Sequence, residues 1–269
     1  MAPPIITLTT DFGLRDPFVG VMKGVILGIC PSARLVDLTH DVPPQDVLGA
    51  ALALESAVRF FPAGAIHLAV VDPGVGSPRR ALGIRAAGQY FVGPDNGIFT
   101  FVLGGGDWAA VSLEAAEFRR PSVSRTFHGR DVFAPAAAHL AAGISLDCLG
   151  PGVSDPALLA WPECRMVGGE LVGEVIGSDR FGNLLTSVTA ERLGQLDAGL
   201  AVIVSVGGRE LGPPTSCYAE GREGQPAPIV GSTGRLEIFA RNGSAVALLG
   251  AGRGTAVRVR RRPVSGSLR

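Results

Sequence analysis

Lysine is almost missing from this chain: Lys23 stands alone, and the rest of its 24 basic residues are arginines, balanced by 24 acidic ones. A formal charge of zero gives a nucleic-acid partner little electrostatic support. The exception is the cluster Arg258, Arg260, Arg261 and Arg262, which reads as a solvated terminal strand. Cysteine is scarce too. Cys30, Cys148, Cys164 and Cys217 lie far apart with no Cys-x-x-Cys pair, which argues against a zinc site or a disulfide framework and for free buried thiols in a reducing cytoplasm. No metal-binding constellation is visible, and the dispersed His40, His67 and His139 read as packing or pocket-edge residues. No run reaches the roughly 18 uninterrupted apolar residues of a membrane span, and Met1 to Ile6 lacks the basic start and long apolar stretch of a signal peptide. The expectation is a soluble, cytoplasmic protein. There is no internal repeat, and Gly104-Gly105-Gly106 lacks the spacing and downstream Lys-Ser/Thr of a phosphate loop.

What the chain does have is apolar substance: 46% hydrophobic and 18% charged residues over 269 positions, enough for one large domain or two smaller ones. Short apolar runs at Ile5–Thr9, Arg34–Leu38, Ala65–Val71 and Gln89–Val92 read as strands. Helical spacing marks Phe18–Ile29, stopped by Pro31, then Asp46–Phe60 and Val132–Ala142. Strands alternating with helices imply a mostly parallel sheet covered on both faces. Beyond Pro151 the texture changes. Leu171–Ile176, Leu184–Val188, Ala201–Val206, Arg235–Ala240, Ala245–Leu249 and Thr255–Arg260 read as short strands separated by Gly, Asn and Pro clusters. The expected fold is α/β: an N-terminal, mostly parallel α/β sandwich domain over 1–155 and a smaller C-terminal antiparallel β-barrel domain over 165–263. A linker is placed near Gly150–Glu163, and Val264–Arg269 reads as a loose tail.

Two stretches concentrate chemistry. Val70-Val71-Asp72-Pro73-Gly74-Val75-Gly76-Ser77-Pro78-Arg79-Arg80 is an apolar strand ending on a carboxylate and entering a loop that carries a guanidinium. Thr126-Phe127-His128-Gly129-Arg130-Asp131 puts an imidazole in a glycine-containing turn. Strand ends in α/β sheets face a crevice, and their loops are free of the hydrogen-bond ladder. Asp72, Arg79 and His128 could together activate a small nucleophile such as water. They could equally be a loop-pinning salt bridge beside a turn-capping histidine. Asp95 and Asn96, in Pro-Asp-Asn-Gly, are explained by turn chemistry alone.

Five motifs in register carry a resemblance. They are Thr9-Thr10-Asp11-Phe12-Gly13, Val71-Asp72-Pro73-Gly74-Val75-Gly76, Gly93-Pro94-Asp95-Asn96-Gly97, Thr126 to Pro135 (Thr-Phe-His-Gly-Arg-Asp-Val-Phe-Ala-Pro), and Asp179-Arg180-Phe181-Gly182-Asn183. From Ile5 to about Arg260 the chain resembles the S-adenosyl-L-methionine (SAM) hydroxide adenosyltransferases, relatives of the bacterial fluorinase and chlorinase. The resemblance implies attack of activated water on C5′ of SAM, releasing adenosine and L-methionine, with SAM as substrate and no cofactor. Opposite charges annihilate in such a substitution, so exclusion of bulk water favours it.

By the same resemblance Asp72, Arg79 and His128 prepare the nucleophile, with the proton going to Asp72 or His128. Asp11 would accept from both ribose hydroxyls. Asp95 and Asn96 would line the site, and Asp179, Phe181 and Asn183 would receive the methionine and adenosyl parts. Ser232 would meet the methionine carboxylate, although Thr233 departs from the Arg that halogenating relatives often carry beside that Ser. The family also implies a homotrimer with active sites at subunit interfaces. Two other readings stand beside hydrolysis: a halogenase using chloride or fluoride, and a non-catalytic SAM- or adenosine-binding protein. The halogenating relatives lack the Asp-Arg-His set and carry an extra loop, and this chain keeps the set without a long insertion.

Overall fold

The computed structural model describes residues 2–196 and 202–262, and the chain divides into two compact units between Trp161 and Pro162. The first unit runs β1 (Ile5–Thr10), α1 (Phe18–Ile29), β2 (Arg34–Thr39), α2 (Val47–Val58), β3 (Ile66–Val70), β4 (Ala81–Ala86), β5 (Gln89–Pro94), α3 (Thr100–Leu103), β6 (Trp108–Ser112) and α4 (Ala134–Ala141). Its sheet has the order β2-β1-β3-β5-β4-β6, parallel among the first four strands and antiparallel from β5 to β6.

The alternation of side chains along a strand explains the layers. On β3, Ile66, Leu68 and Val70 join Met22 and Ile26 of α1 and Ala134 to Ala138 of α4 on one face. Ala69 and Val71 face Ala50, Ala51 and Leu54 of α2 together with Phe91 and Phe99 on the other. Helix α1 buries Val19, Met22 and Ile26, and α2 begins where the Asp46 carboxylate accepts from the Gly49 N–H at 3.0 Å.

The second unit runs β7 (Arg165–Val167), β8 (Glu170–Ser178), β9 (Leu184–Thr189), α5 (Ala190–Leu196), β10 (Val202–Val206), β11 (Arg209–Gly212), β12 (Pro226–Val230), β13 (Arg235–Ala240), α6 (Ala245–Leu249) and β14 (Ala256–Arg261). All its ladders are antiparallel, in the order β11-β10-β14-β8-β9-β13-β12 with β7 beside β8. The sheet curls into a nearly closed barrel around Leu171, Val175, Leu184, Val204, Leu236, Ile238 and Val259. The fold class expected from the sequence therefore holds.

Several details differ. Ala245–Leu249 is a helix, not a strand: Ser244 accepts from the Ala247 N–H at 3.2 Å, and Gly250 leaves the helix with a left-handed φ of 57°. A five-residue apolar run carries no period of its own, so its caps decide. Strands β4, β6, β7, β11 and β12 and helices α3 and α5 are additional. Cys148 and Cys217 are exposed rather than buried, while Cys30 and Cys164 are buried, and all four are free. The segment read as a linker has no helix, and it is laid along the first unit by Gly152 bridging Val111 and by the Leu159 N–H donating to Thr100 at 2.8 Å. Residue 201 of the Ala201–Val206 strand, residue 263 of the second domain and the whole Val264–Arg269 tail lie outside the described residues. In β14, Arg258 and Arg260 point to solvent and pair with Glu170 and Glu210, as a solvated strand requires.

His67 sits fully buried in β3, stacked on Phe91, with Thr7 Oγ1 2.8 Å from its Nδ1. Burial pushes its pKa down to about 4, with Gln89 opposing. A histidine whose folded pKa is depressed supports the fold fully above its ordinary value of 6.5 and withdraws that support as pH falls towards 4. The linkage amounts to about 3 kcal/mol over that window. Thermal unfolding followed from pH 7.5 to pH 4 should show a steep loss that His67→Gln flattens; an equally steep loss in the variant would assign the acid lability to other groups.

Candidate active site

The chemistry begins where β3 runs out. Its continuation, Val71-Asp72, enters the loop Pro73 to Pro78, which returns the chain to β4 through Arg79 and Arg80. Arg79 meets Asp72 edge to edge: Nε donates to Oδ1 at 2.8 Å and Nη2 donates to Oδ2. Such two-point pairing fixes both planes at once. The second hydrogen of Nη2 reaches His128 Nδ1 at 2.8 Å, and Nη1 donates to the Arg80 carbonyl at 3.2 Å. The guanidinium also lies 5.3 Å from the centre of the Phe133 ring. Four of its five N–H groups are thus spent on the protein, and one Nη1–H has no acceptor among the described residues.

The loop that brings His128 to Arg79 is built for close approach. Gly76, at φ 78°, presses its Cα against the Arg125 carbonyl, where a Cβ would come within 2.3 Å of the oxygen. His128 immediately precedes a π-helical turn, Gly129–Phe133, which feeds α4. Single π turns recur at functional sites because they displace one residue from the regular spiral. Within that turn Asp131 is fully buried, accepts from Nε and Nη2 of Arg130 and accepts from the Ser124 N–H at 2.8 Å. Burial alone would raise its pKa, but Arg130 and the Ser124 N–H outweigh that and hold it below the usual carboxylate range.

An arginine can only donate, so His128 Nδ1 must accept and the imidazole proton resides on Nε2. Desolvation, followed by the positive charge of Arg79, lowers the His128 pKa and keeps the ring neutral.

Asp72 and His128 line a cavity of about 430 Å³ together with Asp11, Phe12, Phe18, Gln45 and Phe127. Phe12, Phe18 and Phe127 pack edge to face with centroids 5.3 to 5.9 Å apart, forming an apolar wall. Asp11 accepts from the Gln45 backbone N–H at 2.8 Å. A larger, shallow groove of about 550 Å³ between α1 and α4 holds none of the expected site residues.

The remaining expected residues have other employment. Asp95 takes Arg80 Nε at 2.7 Å and the Ala157 N–H at 2.7 Å, while Arg80 also holds Asp155, so the pair pins the Asp155–Ala157 segment. Asn96 donates to the Val71 carbonyl at 2.8 Å and accepts from the Ile98 N–H, which fixes the strand end next to Asp72. Neither lines the cavity.

In the second unit, Asp179 organises its own loop. It accepts from the N–H groups of Phe181 and Asn183, each at 2.9 Å, and from Asn183 Nδ2 at 2.8 Å. Phe181 is 78% exposed and Asn183 is buried. Ser232 sits exposed in the turn between β12 and β13.

Sequence reasoning passed over three features. The aromatic wall was signalled only by Phe12 and Phe127, which stand inside two of the motifs. Gln45 gave only the hint of a Pro-Pro-Gln-Asp turn. Glu237 on β13 was read as an ordinary strand residue. It is buried, within 3.3 Å of both Tyr218 Oη and Thr233 Oγ1, and desolvation raises its pKa.

The chain matches the SAM hydroxide adenosyltransferase N-terminal domain over residues 6–150 and the corresponding C-terminal domain over residues 173–258. It belongs to the SAM hydroxide adenosyltransferase family. An (R)-S-adenosyl-L-methionine hydrolase of Thermus thermophilus is 44% identical over 264 residues, covering 93% of this chain and 97% of its own. One of Salinispora tropica is 40% identical, covering 96% and 99%. A fluorinase of Actinopolyspora mzabensis is more distant, 28% identical over 91% of this chain and 92% of its own. Among solved structures, an uncharacterized conserved protein of Thermotoga maritima superposes with a TM-score of 0.89 at 34% identity, over 95% of this chain and all of that one. In this chain the Asp-Arg-His set is a connected network in which Asp72 and His128 line the cavity and Arg79 joins them.

Nitrogen-15 NMR of the histidines should show His128 as the Nε2–H tautomer with a pKa below 6.5. In Arg79→Met its pKa should climb, because the cation is gone and Asp72 remains. An unmoved titration would detach His128 from Arg79.

Proposed function

We propose that this chain hydrolyses SAM to adenosine and L-methionine. The observation that carries the reading is the hydrogen-bonded line Asp72–Arg79–His128, whose two ends, Asp72 and His128, line the cavity that also holds Asp11. It agrees with the family of the chain and with the named activity of its more similar relatives.

In the proposed step a water oxygen attacks C5′, the C5′–S bond breaks, and its electron pair leaves with sulfur as the neutral thioether of methionine. One proton is released for each SAM consumed. Arg79 offers its remaining N–H and its fixed charge to an oxygen becoming hydroxide-like. The Nε2–H of His128 donates to the same oxygen and orients it. Because Nδ1 is already occupied and Nε2 already protonated, the tautomer supports Asp72 over His128 as first acceptor of the proton. Asp11, held by the Gln45 N–H, presents its carboxylate to the vicinal ribose hydroxyls. The aromatic wall keeps bulk water from competing.

The departing sulfur already carries the positive charge in SAM, so the displacement needs no Lewis acid, and no cofactor is proposed. Asp179, Phe181, Asn183 and Ser232 are assigned to the substrate's amino-acid and adenosyl parts on the family resemblance alone. Asp95 and Asn96 are assigned to shaping the loop rather than touching substrate, since their side chains are spent within the first unit. The homotrimer is a proposal of the same origin, and a fully active monomer in sedimentation would overturn it.

The test is chromatography of products from SAM in halide-free buffer, repeated with chloride and after dialysis against a chelator. Adenosine and methionine in equal amounts, insensitive to chelator, are expected. A 5′-halogenated nucleoside in chloride would make the chain a halogenase, and intact SAM would make it a binding protein. Arg79→Ala and Asp72→Ala should each lower kcat roughly 100- to 10,000-fold with far smaller loss of SAM affinity. Asp11→Ala should chiefly raise KM.

A further inference from the structure

Three non-glycine residues in the described chain have a left-handed φ: Gln45 at 67°, Ala87 at 50° and Asn242 at 53°. Ala87 lies with Gly88 in the two-residue turn of the β4–β5 hairpin, where such angles are demanded, and Asn is the residue type that tolerates them. Gln45 is different. The Asp46 N–H donates to the Pro43 carbonyl at 3.0 Å, closing a turn with Pro44 and Gln45 at its centre. Proline followed by a left-handed residue is the pattern of a type II turn, and that second place strongly favours glycine. A glutamine there costs conformational energy that glycine would not.

The backbone does not explain the choice. The Gln45 N–H that holds Asp11 at 2.8 Å would be present in any residue but proline. The side chain is exposed, lines the cavity with Asp11, Asp72 and His128, and makes no hydrogen bond to any described residue. Two amide hydrogens and a carbonyl oxygen are therefore offered to the cavity beside the Asp11 carboxylate.

We propose that Gln45 is a substrate-binding residue whose carboxamide hydrogen-bonds the nucleoside part of the ligand, and that the strained turn is kept to place it there. The inference rests on the proposed reading of the cavity as an adenosyl site. A carboxamide next to a carboxylate suits a ligand that carries hydroxyl donors and ring-nitrogen acceptors together, as a nucleoside does.

The experiment compares wild type with Gln45→Gly, which retains the turn, the N–H to Asp11 and the positive φ while deleting the carboxamide. Thermal unfolding, calorimetric titration with adenosine, and titration with L-methionine are measured on the full chain. The variant should unfold at the wild-type temperature or higher, bind adenosine about tenfold more weakly and bind methionine unchanged, as loss of one or two hydrogen bonds requires. Wild-type adenosine affinity in the variant would overturn the inference, as would a lower unfolding temperature, which would mark the side chain as a prop for the turn. Turnover of SAM by wild type is scored separately. Adenosine affinity that depends on Gln45 in a chain that leaves SAM intact keeps this inference and removes the proposed reaction, whereas a wild type that binds no adenosine overturns the inference.

Discussion

The two-point ion pair between Arg79 and Asp72 is the constraint from which the site takes its shape. Both groups are largely withdrawn from solvent, with side-chain exposures of 10% and 5%, so neither could stand there alone. Once the guanidinium plane is set by the carboxylate, the direction of every other N–H follows. One reaches back to the Arg80 carbonyl and secures the entry to β4, and another crosses to the neighbouring loop and dictates the tautomer of His128. The imidazole is thus a donor towards the cavity because the arginine makes it an acceptor on its other side. Removing the arginine would leave a buried carboxylate unpaired and an imidazole free to titrate, so the pair is as much a device for defining protonation as for holding a loop.

The charge pattern follows from the same arrangement. Two carboxylates, Asp11 and Asp72, line the cavity beside an imidazole kept neutral, and one guanidinium stands behind Asp72. The balance leans towards accepting a cation. Aromatic rings line much of the remaining wall, which suits a ligand whose charge is lost during reaction, since nothing in the wall demands that the charge persist.

Much of this was legible in the chain, for identifiable reasons. Strands rich in β-branched residues, such as Ile5–Thr10, and helices with clear apolar spacing, such as Phe18–Ile29, declare themselves. Asp72 and His128 stand out because glycine and proline surround them at the ends of such elements. Strand β4, Ala-Leu-Gly-Ile-Arg-Ala, was not readable: its small residues are buried by neighbouring strands, and only Arg85 faces out. The helix at Ala245–Leu249 was hidden because its caps, not its apolar residues, determine it. Asp95 and Asn96 look like turn formers in sequence, and the partners that occupy their side chains, Arg80 and the carbonyl of Val71, could not be foreseen because they come from distant parts of the chain. Gln45 was invisible for a similar reason: a left-handed angle at a residue other than glycine is imposed by the surroundings and leaves no mark on composition.

The π turn at Gly129–Phe133 carries a consequence for how this protein can vary. A regular helix advances about 100° per residue, and a π turn accommodates one residue more than an α turn of the same height. Deleting a single residue there would let the segment relax into ordinary helix that carries on into α4. It would also swing His128 roughly 100° about the helix axis, out of reach of Arg79. The neighbourhood should therefore accept hardly any change of chain length, beside the constraint that burial of Gly129, Asp131, Val132 and Phe133 already puts on residue identity. In a lineage of such proteins, the count of residues between Phe127 and Pro135 would be the more faithful record of whether the imidazole still serves the cavity.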